Sequence, residues 1–216
     1  MRYLTPVVLA AAASVLSTAP AYADLGDQLF KLLADDGAEN DWFGFSVAIS
    51  GTTAIVGAFA DDDNGDASGS AYLFDTTTGK QIAKLLADDG AAGDFFGYSV
   101  GISGPPGKEV AIVGARWDDD NGTNSGSAYL FDTTTGRQIA KLVPSDNAGG
   151  DSFGISVGIS GATAIVGANW DDDNGSSSGS AYLFDTATGR QLFKLLANDG
   201  AADDSLGFSV AISGAT

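Results

Sequence analysis

Apolar residues in this chain come in short runs of strand length, divided by clusters of Gly, Asp, Asn and Thr, and the runs recur in a fixed order. The first run, Phe45 to Ser50, alternates large Phe45, Val47 and Ile49 with small Ser46, Ala48 and Ser50. That period of two predicts a strand with two unlike faces. The second run, Ala54 to Ala58, is Ala-Ile-Val-Gly-Ala, and the third, Ser70 to Asp75, is Ser-Ala-Tyr-Leu-Phe-Asp. The fourth, Gln81 to Ala87, has a composition that could open an amphipathic helix. It is short for one, and the Thr-Gly pair before it suits a hairpin, so four strands are expected in each unit.

The unit is copied along the chain. Phe43-Gly44, Phe96-Gly97, Phe153-Gly154 and Leu206-Gly207 start equivalent segments, spaced by 53, 57 and 53 residues. The extra residues of the second unit sit in one turn, Gly104 to Glu109, so the flanking runs are fixed elements. A glycine recurs inside the second run, at Gly57, Gly114 and Gly167, where it weakens a strand and therefore implies a close backbone neighbour. Four-stranded sheets repeated at this period, apolar on both faces, predict an all-β fold of β-propeller blades with four antiparallel strands each. With a further fourth strand at Gln28 to Ala34 and a first strand at Phe208 to Ser213, about three and a half blades are expected. The last residues, Gly214-Ala215-Thr216, stand where another Ala-Ile-Val-Gly-Ala run is due, so a longer parent chain is expected.

The first residues have a different character. Arg2 precedes an apolar run from Tyr3 to Leu16, and Ala21-Tyr22-Ala23 fits the small-x-small rule for signal cleavage. Residues 1–23 therefore read as a signal peptide cut after Ala23, which places the mature protein outside the cytoplasm: secreted, periplasmic or on the cell surface. The run is shorter than the ~20 apolar residues a bilayer needs, and it is not repeated, so no membrane span is expected.

Composition removes whole classes of chemistry. With no Cys and no His among 216 residues there is no thiol nucleophile, disulfide framework, Cys-based zinc site or Ser-His-Asp triad. A formal charge of −18 argues against nucleic acid and favours cations or basic surfaces as partners. Gly97-Tyr98-Ser99-Val100-Gly101 and Gly154-Ile155-Ser156-Val157-Gly158 match the nucleophile-elbow pattern. Both lie inside an expected first strand instead of at a strand-to-helix turn, so they are coincidences.

The motifs Phe-Gly-x-Ser-Val and Ile-Val-Gly-Ala resemble the FG-GAP repeat of integrin α-subunit propellers. More closely they resemble its bacterial secreted variant, in which Val-Gly-Ala leads into an acidic loop and then Gly-Ser-Ala-Tyr-x-Phe. The resemblance covers nearly all of residues 27–216, within a repeat region at 24–216 whose units start near 43, 96 and 153 with a partial one at 206. It implies blades of a seven-bladed propeller, extracellular binding or adhesion, and calcium in some loops. The integrin calcium loop lies between the first and second strands, where this chain has a bare Ser50-Gly51-Thr52-Thr53. Those ligands do not carry over.

The acids cluster instead between the second and third strands, as Asp61-Asp62-Asp63-Asn64, Asp118-Asp119-Asp120-Asn121 and Asp171-Asp172-Asp173-Asn174. Together with the connections from fourth to first strands they put most of the 28 acids on one end of the blades, with Lys80, Lys108, Arg137 and Arg190 on the other. Hard oxygen ligands select calcium, so these twelve residues are the candidate metal ligands. Turn chemistry and solubility would account for the same residues, and the loops are not EF-hands, because Gly65 at the sixth position puts Ala60 at the first. Repeated exposed Asp residues are expected to stay ionised and equivalent. Trp117 and Trp170, taken as occupants of the position held by Phe59, are expected to pack over the blade edge. The function expected is a non-catalytic binding or adhesion module for an extracellular protein or polysaccharide, with divalent cations at its acidic face. A carbohydrate-active enzyme and a structural matrix component are the alternatives, and open blade edges are expected to self-associate.

Overall fold

The computed structural model of the protein describes residues 27–214, so the expected signal peptide and its cleavage site lie outside the described residues. Turn chemistry decides where each strand stops. In the hairpin after the third run, the Asp75 side chain accepts the Thr77 N–H at 2.7 Å, and Gly79, at φ 70°, donates to the Asp75 carbonyl at 2.7 Å. Only a residue without Cβ takes that left-handed state without strain. The strands between such turns are β1 (Ser46–Ser50), β2 (Thr53–Ala58), β3 (Ser70–Asp75) and β4 (Lys80–Leu85). The second unit gives β5 (Phe96–Ser103), β6 (Val110–Ala115), β7 (Ser127–Asp132) and β8 (Arg137–Leu142). The third gives β9 (Ser156–Ser160), β10 (Thr163–Ala168), β11 (Ser180–Asp185) and β12 (Gln191–Leu195). The fourth run of each unit is a strand, as the hairpin signal required.

Each unit is one antiparallel four-stranded sheet in chain order, β1-β2-β3-β4 and its two equivalents, so the described residues form three propeller-like blades that do not close. The last pair in each sheet shifts register once, between Leu73 and Phe74 and at the same place in the next two. The core lies between sheets. Ile55, Leu73 and Leu85 of the first blade pack with Val100, Val113 and Phe131 of the second, and Ile112, Leu130 and Leu142 pack with Val166, Tyr182 and Phe184 of the third. Each side chain of this size, once fully buried, contributes roughly 1.5–3 kcal/mol. The Phe of each Phe-Gly pair turns into its own blade: the Phe96 ring meets Tyr129 and Phe131 edge-on at 5.5 and 5.7 Å.

The Gly of the pair makes the joint to the preceding blade. A Cβ on Gly57 would run into the carbonyl oxygen of Gly97, and Gly114 and Gly167 stand in the same relation to Gly154 and Gly207. The close approach expected from the repeated strand glycine is thus present at all three junctions. Backbone bonds complete them, with Phe96, Phe153 and Leu206 each donating at 3.0 Å to the carbonyls of Ser68, Ser125 and Ser178. Ser99 and Ser156, the residues of the nucleophile-elbow patterns, lie inside β5 and β9 and donate to the carbonyls of Gly154 and Gly207 at 2.8 and 2.7 Å.

Two expected strands are corrected. Residues 28–34 and 208–213 form no strand ladder, because the strands they would pair with are not among the described residues. Both still sit where their repeat positions require. Phe30 packs at Gly79, and Ile212 lies against Gly158 as Ile159 lies against Gly101. The large residues of the first strand face the preceding blade: Val100 and Ile102 are buried there, while Val47 and Ile49, with no blade on that side among the described residues, are 67% and 66% exposed.

Candidate functional site

The loop between the second and third strands folds around its first carboxylate. Asp61 accepts the N–H of Asp63 on Oδ1 at 3.2 Å, and its carbonyl accepts both the Gly69 N–H and the Ser68 hydroxyl. Such local bonds from an Asp side chain to the chain just ahead are what make Asp a turn residue. Oδ2 then points inward and accepts the hydroxyl of Tyr72 at 2.8 Å. Asp118 with Tyr129 and Asp171 with Tyr182 repeat the pair at 2.7 and 2.8 Å. These three Asp residues are only 3–4% exposed, which corrects the expectation that the whole run is solvated: the first Asp of each run is an internal acceptor.

The cation these carboxylates hold belongs to the chain. In the sheet register Tyr72 is opposite Lys84, and Lys141 and Lys194 stand in the same relation to Tyr129 and Tyr182. The pairing lays each ammonium over its tyrosine ring, 5.1–5.3 Å from the centroid, and onto the acid loop. Lys84 Nζ is 3.0 Å from Asp61, 2.7 Å from Asp63 and 2.8 Å from Asp36, which lies in the connection leaving residues 28–34. Lys194 meets Asp171, Asp173 and Asp146 at 2.9, 2.7 and 2.8 Å, and Lys141 meets Asp118, Asp120 and Asp89. Burial works against charge on Lys84, Lys141 and Lys194, but the surrounding carboxylates outweigh it and raise all three well above the usual lysine range. Burial likewise works against ionised Asp61 and Asp171, and the lysine and tyrosine donors overcome it and hold both carboxyls low.

The twelve expected ligands therefore divide. The first and third Asp of each run converge on the lysine. The second, Asp62, Asp119 or Asp172, instead braces the loop by accepting the N–H of Ala67, Asn124 or Ser177 at 2.7–2.8 Å. Asn64, Asn121 and Asn174 give their backbone N–H to Ser68, Ser125 and Ser178, and the Asn174 side chain donates to the Ala197 carbonyl. Among the described residues, one carboxylate trio, Asp89, Asp118 and Asp120, has oxygens within 4.8 Å of one another. All three are on Lys141, so a resident ammonium takes the central position. Sequence reasoning missed Lys84, Lys141 and Lys194, although each lies 23 residues after the first Asp of its loop.

The connections from fourth to first strands add a second class of acid. Asp94 and Asp151 are each 6% exposed and accept one backbone N–H, from Ala91 at 2.7 Å and from Ala148 at 2.8 Å. Burial pushes both up to about 6, helped by the nearby charges of Asp118 and Asp171 respectively. The residue just before each Phe-Gly (Leu-Gly in the last unit) takes a left-handed backbone, at Trp42, Phe95, Ser152 and Ser205, with φ of 53–58°. For bulky side chains that is a strained state, and it recurs at this end of every blade.

Beside the acid loops runs an aromatic tract. Phe59 lies 4.7 Å from Phe45, 5.1 Å from Phe95 and 5.5 Å from Tyr98, and Phe95 stacks on Trp117 at 4.4 Å. The strand register equates Phe59 with Arg116 and Asn169, and Trp117 and Trp170 with Ala60; the expected match of the tryptophans to Phe59 was one residue off. Trp117 packs against its neighbours, while Trp170 is 44% exposed. Below the tract, a groove of about 330 Å³ runs across the first strands, lined by Phe45, Tyr98, Val100, Ile155, Val157 and Phe208 among others.

Stacked four-stranded sheets joined through repeated Phe-Gly turns define a module of the β-propeller type. The FG-GAP repeat family model matches residues 27–74, 80–131, 137–184 and 190–216, and the chain belongs to that family. The second and third matched segments begin at a fourth strand and end within the third strand of the next blade, so the family's repeat is offset from the structural blade. No curated protein matches the chain. Among solved structures it is similar to the computationally designed Ika4 protein, at 17% identity and TM-score 0.48, over 81% of each chain. It is also similar to the computationally designed Ika8 protein, at 15% identity and TM-score 0.43, over 74% of this chain and 38% of that one. Among the described residues no helix is long and apolar enough to cross a membrane.

Proposed function

We propose that this chain is an exported, non-catalytic binding module that presents the loop end of its blades to an extracellular protein or polysaccharide. The observation that carries the reading is the equivalence of its acids. Asp61, Asp118 and Asp171 share one hydrogen-bonding pattern, and the two carboxyls raised to about 6, Asp94 and Asp151, occupy equivalent positions in successive units. Glycoside cleavage needs two carboxyls made unlike by their surroundings, one acid and one base or nucleophile. A loop end rebuilt three times from the same bonds is a rigid platform.

The test is retention of the mature protein, starting at Asp24, on immobilised extracellular polysaccharides and matrix proteins, with each eluate assayed for new reducing ends. Saturable retention without product supports the reading. Product release would make it an enzyme, and no retention on any surface would remove the binding role. Mass spectrometry of the exported protein checks cleavage after Ala23. The exposed apolar faces at Val47 and Ile49 and at Phe193 favour self-association, which sedimentation at several concentrations would detect.

A further inference from the structure

The loop end differs among the units at a few positions, one of them the residue that follows the second strand, which is Phe59, then Arg116, then Asn169. At the first junction Phe59 is an apolar plug among other rings. At the second, the Arg116 guanidinium lies 4.3 Å from the ring of Tyr98 and 4.6 Å from that of Trp117. Among the described residues no carboxylate or carbonyl is paired with it, in a chain with 28 acids. Arg116 Nε and Trp117 Nε1 are both buried without a partner.

Two more unpartnered atoms belong to the same ring of positions. Ser152, equivalent to Phe95, is 1% exposed, and Asn169, equivalent to Phe59, is 5% exposed; Ser152 Oγ and Asn169 Oδ1 lack partners. Buried polar atoms are seldom left unpaired, and each of these four is an unmet bonding demand at this end of the blades. A guanidinium carries an in-plane fork of N–H donors, which matches a carboxylate with two parallel hydrogen bonds. The rings of Tyr98, beside it, and of Phe45 line the groove and give apolar surface against which a sugar ring packs.

We propose that Arg116 and Trp117 form the carboxylate-recognising end of a site that takes an acidic sugar, a uronic-acid unit of an extracellular polysaccharide. The proposal rests on the binding-module reading and names its ligand class. It also gives a use to one of the positions at which the units differ. The chain's net negative charge opposes a polyanion, and the acid run that begins at Asp118, two residues from Arg116, lies inside the ~8 Å over which 0.15 M salt screens charge, so the fork has to outweigh that repulsion locally. Stacking alone, with Arg116 merely filling the space of Phe59, is the competing account.

The experiment titrates the full mature chain with a galacturonic acid hexamer and, separately, its fully methyl-esterified form in 0.15 M NaCl, followed by tryptophan fluorescence and calorimetry. Arg116→Phe installs the residue the first blade uses in this place, and Arg116→Lys keeps the charge without the fork. The expected result is saturable binding of the acid form, about tenfold or more weaker for the ester and for both variants. Equal binding of acid and ester, unchanged binding by both variants, or no saturable binding of the acid would each overturn the site. If Arg116→Phe unfolds, the ester comparison and Arg116→Lys decide. Retention on some other polymer with no response to the hexamer would remove this site and leave the binding module standing.

Discussion

The hydroxyl of Tyr129 donates a 2.7 Å hydrogen bond to Asp118, and both residues are buried. Tyr129→Phe removes that donor and leaves the carboxylate oxygen with Lys141 alone. The expected loss is about 1–3 kcal/mol, the range for a buried acceptor deprived of one partner. Urea unfolding of the variant and of Tyr72→Phe should show similar falls in midpoint at unchanged slope, since the two blades repeat the same contact.

Lys141 carries more. Lys141→Met strands the buried Asp118 and brings three carboxylates together uncompensated, at an expected cost of about 3 kcal/mol. The same variant vacates the centre of the trio. Thermal midpoints of the unaltered protein should coincide in millimolar calcium, magnesium and sodium at matched ionic strength, whereas Lys141→Met should regain part of its loss in calcium alone. A calcium-specific rise in the unaltered protein would show that the ion enters without the lysine leaving, or binds elsewhere.

Acidity should tune stability in two opposed ways. Asp94 and Asp151 have folded-state values near 6, above the 3.8 of an unperturbed Asp, so their contribution is full below 3.8 and lost as pH rises through 6. Asp36, Asp61, Asp89 and Asp171 are held low, so theirs is present above 3.8 and lost as pH falls further. Maximum stability is therefore expected near pH 4. Asp94→Asn with Asp151→Asn should flatten the decline between pH 4 and 7, by about 2 kcal/mol per site. Melts at half-unit steps from pH 3 to 8 would read this, and an unaltered slope in the double variant would contradict it.

The glycine joints predict a sharp contrast. Gly114→Ala drives a Cβ into the Gly154 carbonyl and should cost 3 kcal/mol or more, roughly what separates a folded from a half-unfolded marginal domain. Gly150→Ala meets nothing within 4 Å and bears only the strain of φ 99°, about 1–2 kcal/mol. Comparable losses from the two would mean that the blades do not meet at this backbone contact.

The blades were legible because strand period and turn chemistry are local: Val47 and Ile49 alternating with small residues, and Thr-Gly before Gln81, say strand without reference to anything distant. Gly57 announced a close neighbour for the same reason, since only contact justifies a bare position in a β-branched run. The site was less legible. In Asp61-Asp62-Asp63 three identical side chains take three roles, one internal, one bracing its own loop and one on the lysine, and only the sheet register separates them. Lys84 resembles a solvated strand residue until that register brings it opposite Tyr72. Glu109, in the lengthened turn of the second unit, is 2% exposed and accepts the N–H of Gly107 and the hydroxyl of Thr133, and nothing nearby in the sequence marks it as buried.

The three lysines also change what the protein requires of its surroundings. An ion drawn from solution leaves when it is diluted, chelated or outcompeted, and the structure it holds leaves with it. An ammonium on the end of strand four is a counter-ion tethered by covalent bonds, present at one equivalent per blade under every condition in which the chain exists. Each loop stitched in this way carries its own counter-ion in hard water, in soft water and in the presence of a chelator.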